Sequence, residues 1–528
     1  MVDYITLKII YSILTLAIVT FASILTDRYP RASRAMRVAG FLVVPSLFIL
    51  LGLVELQGYQ IVLTLLTSGV AIGISLHNEG YYRVIYGLAR YSQIIVDTIL
   101  ASLILLFSST FLIELIVYWF FIDITVAFIA ITMEHGSENL PVASTYIAMC
   151  IAPSDIALLT MWAILAGELG LYNSLLFPLN KVALQPLSLN PVISTIILFG
   201  FAVKLGQFPL HSWLPIVHGK APSHISAILS GIIIKMGAYA FLTARQIFAF
   251  NPMALYIILA QGIISTIYGS FGAVLQSHIK WILAYSSVSY GGVITTLYAI
   301  MMILEGSAPL YASSATHINT IGLLNALILM VIVFHALTKS LAFVNSGMVY
   351  QLTNTYDVFK LGYLFYVSRE SSLSAFTVLL SLTGIPPSVG FVVKILLIST
   401  SLLVAQVNLL GLVLAIAFIL STLLSIIYGA KYMGVYISTL PRVHPRTVII
   451  PKVELYSETY LSVVSITVPM AFILYLTLFQ QQPGNLVGII ATPIYIIALM
   501  FYVYSFLQIY SKKSAEEDVK YWLSGVDS

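Results

Sequence analysis

Charge is the scarcest feature of this sequence. Only 8% of its 528 residues are charged, whereas 60% are hydrophobic. An ordinary soluble domain carries about a quarter of its residues as charges. At roughly 20 residues per membrane crossing, the chain is long enough for many spans. Because backbone groups in lipid must be satisfied internally, long apolar runs cross only as helices. The composition therefore predicts an all-α polytopic membrane protein and gives no reason to expect a nucleic-acid partner.

Cysteine and phosphate-binding patterns are also missing. Cys150 is the single cysteine, so the chain offers neither an internal disulfide nor a cysteine-ligated zinc or iron–sulfur site. No glycine-rich loop follows a strand, which gives no sign of a nucleotide site. The first apolar run, residues 9–25, lacks a basic leader and an obvious cleavage site, so we interpret it as a span. We expect no bound cofactor, and any redox chemistry is expected in partner chains.

Hydrophobic runs predict fifteen membrane spans. They lie at 5–26, 38–56, 60–77, 92–109, 111–132, 144–166, 191–208, 222–244, 253–274, 281–303, 320–346, 372–404, 407–430, 460–479 and 487–510. With the N-terminus outside, 17 of the 24 Lys and Arg residues face the cytoplasm, and Arg34, Arg37 and Lys280 are among them. Lys181 and Arg245 face outside, and five cations lie within spans. This asymmetry predicts a cell-membrane protein with an outer N-terminus and a cytoplasmic C-terminus.

Ionisable residues inside the predicted spans are the most informative feature. They are Asp97, Glu114, Asp123, Asp155, Lys204, Lys235, His335, Lys339 and Lys394. A charge at the centre of a bilayer costs about 3 kcal/mol on insertion scales, so such residues usually serve ion pathways. A structural ion pair or a side chain that reaches the interface is the alternative for each. We predict that Glu114 pairs with Lys204 and that this pair can separate.

The stretch KLGQFPLHSWLPIVHGKAPSHISAILSGIIIK runs from Lys204 to Lys235 and places a lysine at each end of a broken segment. The histidines at 211 and 218 flank Trp213 in its turn and are candidates for proton entry. A structural role for each is the alternative.

The second half of the chain also contains lysine and histidine candidates within predicted spans and a proline-interrupted apolar segment. His335 and Lys339 are four residues apart and share a helical face. Pro386 and Pro387 precede Lys394 within one long apolar segment, and proline breaks helices. We therefore predict two inverted five-helix repeats, spans 4–8 and 9–13, with broken helices 7 and 12. The corresponding domains are 1–90, 91–250, 251–435 and 436–528, the last with two spans and a polar cytoplasmic tail.

The chain resembles the antiporter-like L, M and N subunits of respiratory complex I. The resemblance covers about 92–430 and rests on the 204–235 stretch, HIKWILAYSSVSYGG, HALTKSLAFVNSG and GIPPSVGFVVK, in that order. The same fold occurs in multisubunit Na+/H+ antiporters and membrane-bound hydrogenases. The resemblance implies a proton relay whose members are Glu114, Lys204, Lys235, His335, Lys339 and Lys394. Protons would enter from the cytoplasm through the first half and leave outside through the second.

Several departures leave the subunit type open. Ile216 and Lys220 stand where the family usually has acidic residues, and Lys394 is unlike the M type. We predict a proton-translocating subunit of a complex I-type assembly, with other membrane subunits, the bilayer and protons as partners. The alternatives are a subunit of a multisubunit Na+/H+ antiporter, which would also carry Na+, or of a ferredoxin-driven hydrogenase or sulfur reductase. A spacer that no longer conducts is the remaining alternative.

Overall fold

The computed structural model describes residues 2–134, 136–180, 186–311, 315–438 and 450–479. These residues are almost entirely helical. The helices are α1 (Val2–Ile24), α2 (Pro30–Val38), α3 (Val44–Leu50), α4 (Gly58–Tyr86), α5 (Arg90–Phe107), α6 (Leu112–Thr125), α7 (Leu140–Tyr146), α8 (Ala152–Leu169), α9 (Leu171–Leu175), α10 (Pro191–Lys204), α11 (Trp213–Lys220), α12 (Ser223–Ile228), α13 (Lys235–Ile247), α14 (Pro252–Leu275), α15 (Ile279–Tyr311), α16 (Ala315–Thr353), α17 (Leu364–Val367), α18 (Arg369–Thr383), α19 (Val389–Val407), α20 (Leu410–Ile437) and α21 (Lys452–Phe479). Two short strands, β1 (Leu187–Ser188) and β2 (Phe248–Ala249), pair in parallel.

Among the described residues, twelve helical stretches are long and apolar enough to cross a membrane, and α10 is a shorter apolar helix. The prediction of an all-α polytopic membrane protein is confirmed. The predicted last span, 487–510, lies outside the described residues, so the count of fifteen stays a prediction. The domain boundaries and the two inverted repeats also stay predictions.

Two apolar segments are interrupted in the middle. The first break follows α10, where Gly206 adopts a φ of +76° and Pro209 follows three residues later. The second separates α18 from α19, where Gly384 adopts a φ of +75° ahead of Pro386 and Pro387. A left-handed glycine ends a helix and proline cannot continue it. The single predicted span 372–404 is therefore two helices, with the break at its prolines.

Helix α16 is the longest described helix, with 39 residues. It packs against α4 and α12 on one side and against α15, α18, α19 and α21 on others. His335 and Lys339 lie in its buried middle. One continuous helix therefore connects the lysine-bearing segments of both halves.

A buried charge network ties α2 to α4. The carboxylate of Glu79 accepts hydrogen bonds from Arg34 and Arg37, and Arg83 lies 3.2 Å away. Arg37 is only 2% exposed and lies within α2, so it is not in a loop, and the side of the membrane that it faces stays a prediction. Helix α4 continues past the predicted span end at residue 77, and this extension brings Glu79 to the arginines. Asp97 accepts from Ser23 and Gln93 and lies 3.8 Å from Arg37, and these contacts favour the structural alternative for it.

Glycines let α14 and α15 approach until their backbones touch. A Cβ added at Gly292 would lie 2.5 Å from the Thr266 nitrogen and 2.6 Å from the Gly262 oxygen. Small residues at such positions are a common device in membrane helix packing. This contact fixes the position of α15, which carries several groups of the candidate site.

We expect Gly292→Val to lower the thermal unfolding midpoint by roughly 5 °C, because overpacking costs about 1–3 kcal/mol. Cys150 is fully buried and is the only cysteine, so a thiol-reactive fluorophore reports unfolding directly. Gly167→Val is the matched control, since nothing lies within 4 Å of a Cβ there. Equal midpoints for the two variants would show that the close approach does not stabilise the fold.

Candidate proton relay

Lys204 forms a buried ion pair with Asp123. The lysine is the last residue of α10, and its Nζ donates to both carboxylate oxygens of Asp123, with 2.6 Å to Oδ2. Both side chains are inaccessible to solvent. A buried pair offsets much of its desolvation cost only with good geometry and further hydrogen bonds. A change in the charge of either side chain therefore strongly alters the free energy of the charged form of the other.

Aromatic side chains surround this pair. The ammonium of Lys204 lies 5.2 Å from the Trp119 ring centroid and 5.8 Å from that of Tyr146. The Tyr146 hydroxyl donates to Asp123 at 3.3 Å, and Trp119 Nε1 donates to Asp155 at 3.0 Å. Asp155 thus supplies a second carboxylate within electrostatic range of Lys204. The site holds one lysine between two acids of different burial.

The predicted pairing of Glu114 with Lys204 is wrong. Glu114 lies in the first turn of α6 and accepts from the backbone N–H groups of Thr110, at 2.6 Å, and Phe111. Its carboxylate is also 3.5 Å from the ammonium of Lys8. Asp123 lies nine residues further along α6, about 13 Å deeper at 1.5 Å per residue. The place that the resemblance gave to Glu114, beside the lysine, is taken by Asp123.

Lys235 and His335 are in direct contact. The ammonium of Lys235 is hydrogen-bonded to Nδ1 of His335 and donates to the Ser230 carbonyl at 2.8 Å. The π-helical segment Leu229–Ile233 immediately precedes α13 and contains that carbonyl. Such π segments often occur at functional sites. Both side chains are about 1% exposed, and Nε2 of His335 has no hydrogen-bond partner among the described residues.

Lys339 lies one turn after His335 on α16. Its ammonium is bound by the Ser286 hydroxyl and by the Leu283 carbonyl at 2.9 Å. The next residue on α15, Ser287, is 2.7 Å from the Ser230 hydroxyl beside Lys235. Serines of α15 therefore contact the surroundings of both lysines.

Lys394 lies at the second helix break. Its ammonium donates to the Leu382 carbonyl at 2.6 Å and contacts the Ser425 hydroxyl. A Cβ at Gly384 would lie 2.5 Å from Cδ of Lys394, so the glycine leaves room for the lysine stem. A cation at the C-terminal end of a helix is favoured by the exposed carbonyls there. The lysine therefore occupies a site that the break creates.

The two histidines of the first turn lie in different surroundings. His211 packs against Phe208 and against Tyr268, whose ring centroid is 4.7 Å away. His218 is fully buried and stacks on Phe343 of α16 at 4.4 Å. Neither lies at an exposed turn, although both were predicted beside the entrance. Their part in proton entry stays a prediction.

The structure thus places five of the six predicted relay residues in three clusters, and Glu114 lies apart from them. The clusters are Asp123–Lys204, then Lys235–His335–Lys339, then Lys394 with Ser425. Within the described residues, no hydrogen bond joins one cluster to the next. The sequence flagged Asp123 as an intramembrane charge but assigned it no partner. Ser286 lies in a motif that carried the resemblance, and Ser425 had no signal.

A double-mutant cycle tests the Asp123–Lys204 pair. Asp123→Asn should lower stability by about 3–5 kcal/mol, because it leaves a buried charge unpaired. Adding Lys204→Met should restore much of the loss, since both charges are then absent. Thermal unfolding with the buried thiol as reporter measures the coupling. Glu114→Gln is the control and should show no coupling to Lys204→Met, so coupling there instead of at Asp123 would contradict the assignment.

Comparison with known proteins finds a matching family and several relatives. Residues 109–421 match the family described as NADH:quinone oxidoreductase/Mrp antiporter, TM. The chain is 33% identical over 223 residues to Hydrogenase-4 component B of Escherichia coli, covering 40% of this chain and 32% of that protein. It is 28% identical over 349 residues to an NAD(P)H-quinone oxidoreductase chain 4 of Synechococcus sp., covering 62% of this chain and 60% of that one.

A subunit of an antiporter is also among the relatives. Na(+)/H(+) antiporter subunit A1 of Staphylococcus saprophyticus is 29% identical over 279 residues, which is 51% of this chain and 33% of that one. The chain spans less than two thirds of the length of these relatives. A chain in the structure of the Mrp complex from Dietzia sp. matches with a TM-score of 0.71 and 17% identity, over 98% of this chain and 59% of that chain. The family match covers more than half of the sequence, and this chain is a member of the NADH:quinone oxidoreductase/Mrp antiporter transmembrane family.

Proposed function

We propose that this chain is a proton-translocating, antiporter-like subunit of a complex I-type membrane assembly. The observation that carries the proposal is a set of four buried lysines: Lys204 and Lys394 at the two helix breaks, Lys339 on α16, and Lys235 at the start of α13 against His335 of α16. Buried cations without a structural need are rare in membrane helices and usually serve ion transfer. Three of them have only neutral partners within hydrogen-bonding distance in the described residues.

The first step is a change at the Asp123–Lys204 pair. A nearby opposite charge favours the ammonium form, and burial disfavours it. When Asp123 is neutralised or drawn away, Lys204 therefore releases its proton more readily. Asp155 is close enough to act on the same lysine. A change in charge in a neighbouring subunit would act on these acids, because electrostatic forces in a low-dielectric interior reach further than in water.

The central step uses the contact between Lys235 and His335. Nδ1 of a neutral imidazole accepts a proton from the lysine, while the proton on Nε2 leaves from the other side of the ring. Lys339 is the next acceptor, one helical turn away. The serines at 230, 286 and 287 hold these groups in place through the contacts described above. Water is required between this cluster and Lys394, which we propose as the outer gate.

The direction of transfer follows from the charge asymmetry of the loops. The excess of Lys and Arg on one side supports a cytoplasmic uptake face and release outside. Na+ is the alternative ion, because one relative is named as an Na(+)/H(+) antiporter subunit. In this proposal the chain carries no redox centre, and partner subunits supply the free energy that drives proton transfer.

The parent assembly has competing candidates. The quinone oxidoreductase relative shares the longest of the matched regions described above and favours the complex I type. The hydrogenase relative has the higher identity, and it favours a ferredoxin-driven hydrogenase or sulfur reductase. Purification of the native complex and identification of its other chains separates these assemblies. Quinone-site and iron–sulfur chains support the first proposal, while small antiporter subunits alone would overturn it.

Substitution of the central lysine tests the relay. In the native complex reconstituted into vesicles, Lys235→Ala should reduce proton flux at least about 100-fold, the usual contribution of a group that transfers protons. A potassium diffusion potential drives the flux and a pH-sensitive dye records it. Lys360→Ala is the matched control, because that lysine is 55% exposed and pairs only with Asp357 in the described structure. Normal flux through an assembled Lys235→Ala complex would overturn the proposal.

A further inference from the structure

A cavity of about 310 Å³ opens beside the N-terminal end of α15. Residues from α4, α11, α15 and α16 line it together with the loop after α6. They include Tyr81, Glu134, Lys220, Ala221, Lys280 and Tyr356. Liquid water occupies about 30 Å³ per molecule, so the cavity has room for several. Its lining is rich in hydroxyl and charged groups, which suits water rather than lipid.

Lys280 is the buried end of this cavity. Its side chain is 2% exposed, and its ammonium donates to the Ala221 carbonyl at 2.8 Å. It also lies 4.5 Å from the centroid of the Tyr356 ring. Glu134 lines the same cavity and is close enough to act on the charge of Lys280. The ammonium of Lys280 therefore contacts a carbonyl and an aromatic ring and borders the open space of the cavity.

Beside the cavity, His278 packs on Tyr356 with ring centroids 5.0 Å apart. Burial, together with the charge of Lys280, lowers the pKa of His278 to about 4. The ring is therefore neutral at neutral pH and adds no positive charge at this position. Lys280 and Lys220 are the cations that line the cavity.

Buried histidines connect Lys280 to the relay. His218 is within electrostatic range of both Lys280 and Lys339, and His335 is within range of His218. His218 and His224 are fully buried, and neither ring nitrogen of either has a hydrogen-bond partner among the described residues. Buried polar atoms are nearly always paired with protein or water. Unpartnered imidazoles between a cavity and a buried lysine are suited to a water-filled path.

We propose that this cavity is the port through which protons reach the relay, with Lys280 as their first acceptor and His218 as the link to the central cluster of Lys235, His335 and Lys339. The inference rests on the proposed function and adds the place of entry. Protons join the relay at the central cluster, so the Asp123–Lys204 pair acts as a switch beside the path. Because His211 packs on α14 away from the cavity, it takes no part in this entry.

Site-directed labelling tests the port in the reconstituted native complex. Cys150→Ala removes the only thiol of this chain, and Ile85→Cys then places one in the cavity lining, where residue 85 is 41% exposed. The Cys150→Ala complex without an added cysteine measures the effect of the reagent on thiols of the partner chains. A positively charged thiol reagent should slow proton flux at least about tenfold by filling and charging the path. Leu88→Cys is the matched control, being 60% exposed on the same face outside the cavity lining.

Labelling at Leu88→Cys should leave flux unchanged, and it confirms that the reagent reaches this face. If the thiol at position 85 is modified in full and flux persists, the cavity is not the port. Reagent added to the opposite membrane face should modify neither thiol, and inhibition from that face would also overturn the inference.

Substitution of Lys280 separates proton transfer from structural support. Lys280→Met and Lys280→Arg should both reduce flux about 100-fold, because arginine keeps the charge but does not release a proton. Lys280→His should retain a larger part of the flux, since imidazole can both accept and release a proton. Equal flux in the Arg variant and the parent would overturn the role as acceptor, and co-purification with partner chains shows which variants assemble.

The outcomes also distinguish failure of the proposed port from failure of the proposed function. If Lys235→Ala abolishes flux while labelling at position 85 and the Lys280 variants do not, the port is wrong and the proposed function stands. If Lys235→Ala conducts like the parent, the proposed function fails whatever the labelling shows.

Discussion

The whole arrangement depends on what it takes to hold an ammonium group inside a membrane protein. A buried cation needs either a counter-ion or enough neutral oxygen atoms to replace its water. Among the four relay lysines in the described residues, Lys204 alone has a counter-ion, Asp123, while carbonyl, hydroxyl or imidazole groups hold the other three. A lysine held by carbonyls and hydroxyls alone is only weakly biased toward its charged form. That weak bias is what a chain of proton carriers requires.

The helix breaks serve this requirement. An intact helix uses its carbonyls internally, so it has few to offer a cation. At the second break, the Leu382 carbonyl accepts from Lys394. At the π-helical segment before α13, the Ser230 carbonyl accepts from Lys235. Local departures from regular α-helix therefore create the sites in which the lysines are kept, and the close packing of α14 on α15 brings the serines into range.

The sequence predicts some residues of the candidate site and not others. It identified the buried lysines, the His335–Lys339 spacing and both proline-interrupted segments, because each is a local pattern. It failed for Glu114, since a carboxylate one turn from a helix start satisfies its own helix end before it reaches a neighbour. It also placed Arg37 in a loop, because the polar sequence around it gives no sign of the buried Glu79 across the helix interface. Ser425 carried no pattern of its own.

The sequence by itself determined the class of protein, the positions where helices break and which ionisable groups lie in the membrane interior. These follow from hydropathy, from proline and glycine, and from the free-energy cost of burying charge, all of which act locally along the chain. Only the tertiary structure decided which acid faces Lys204, which hydroxyls hold Lys339 and where a cavity reaches Lys280. Those contacts join residues tens to hundreds of positions apart, and they depend on how the helices pack rather than on what any one of them contains.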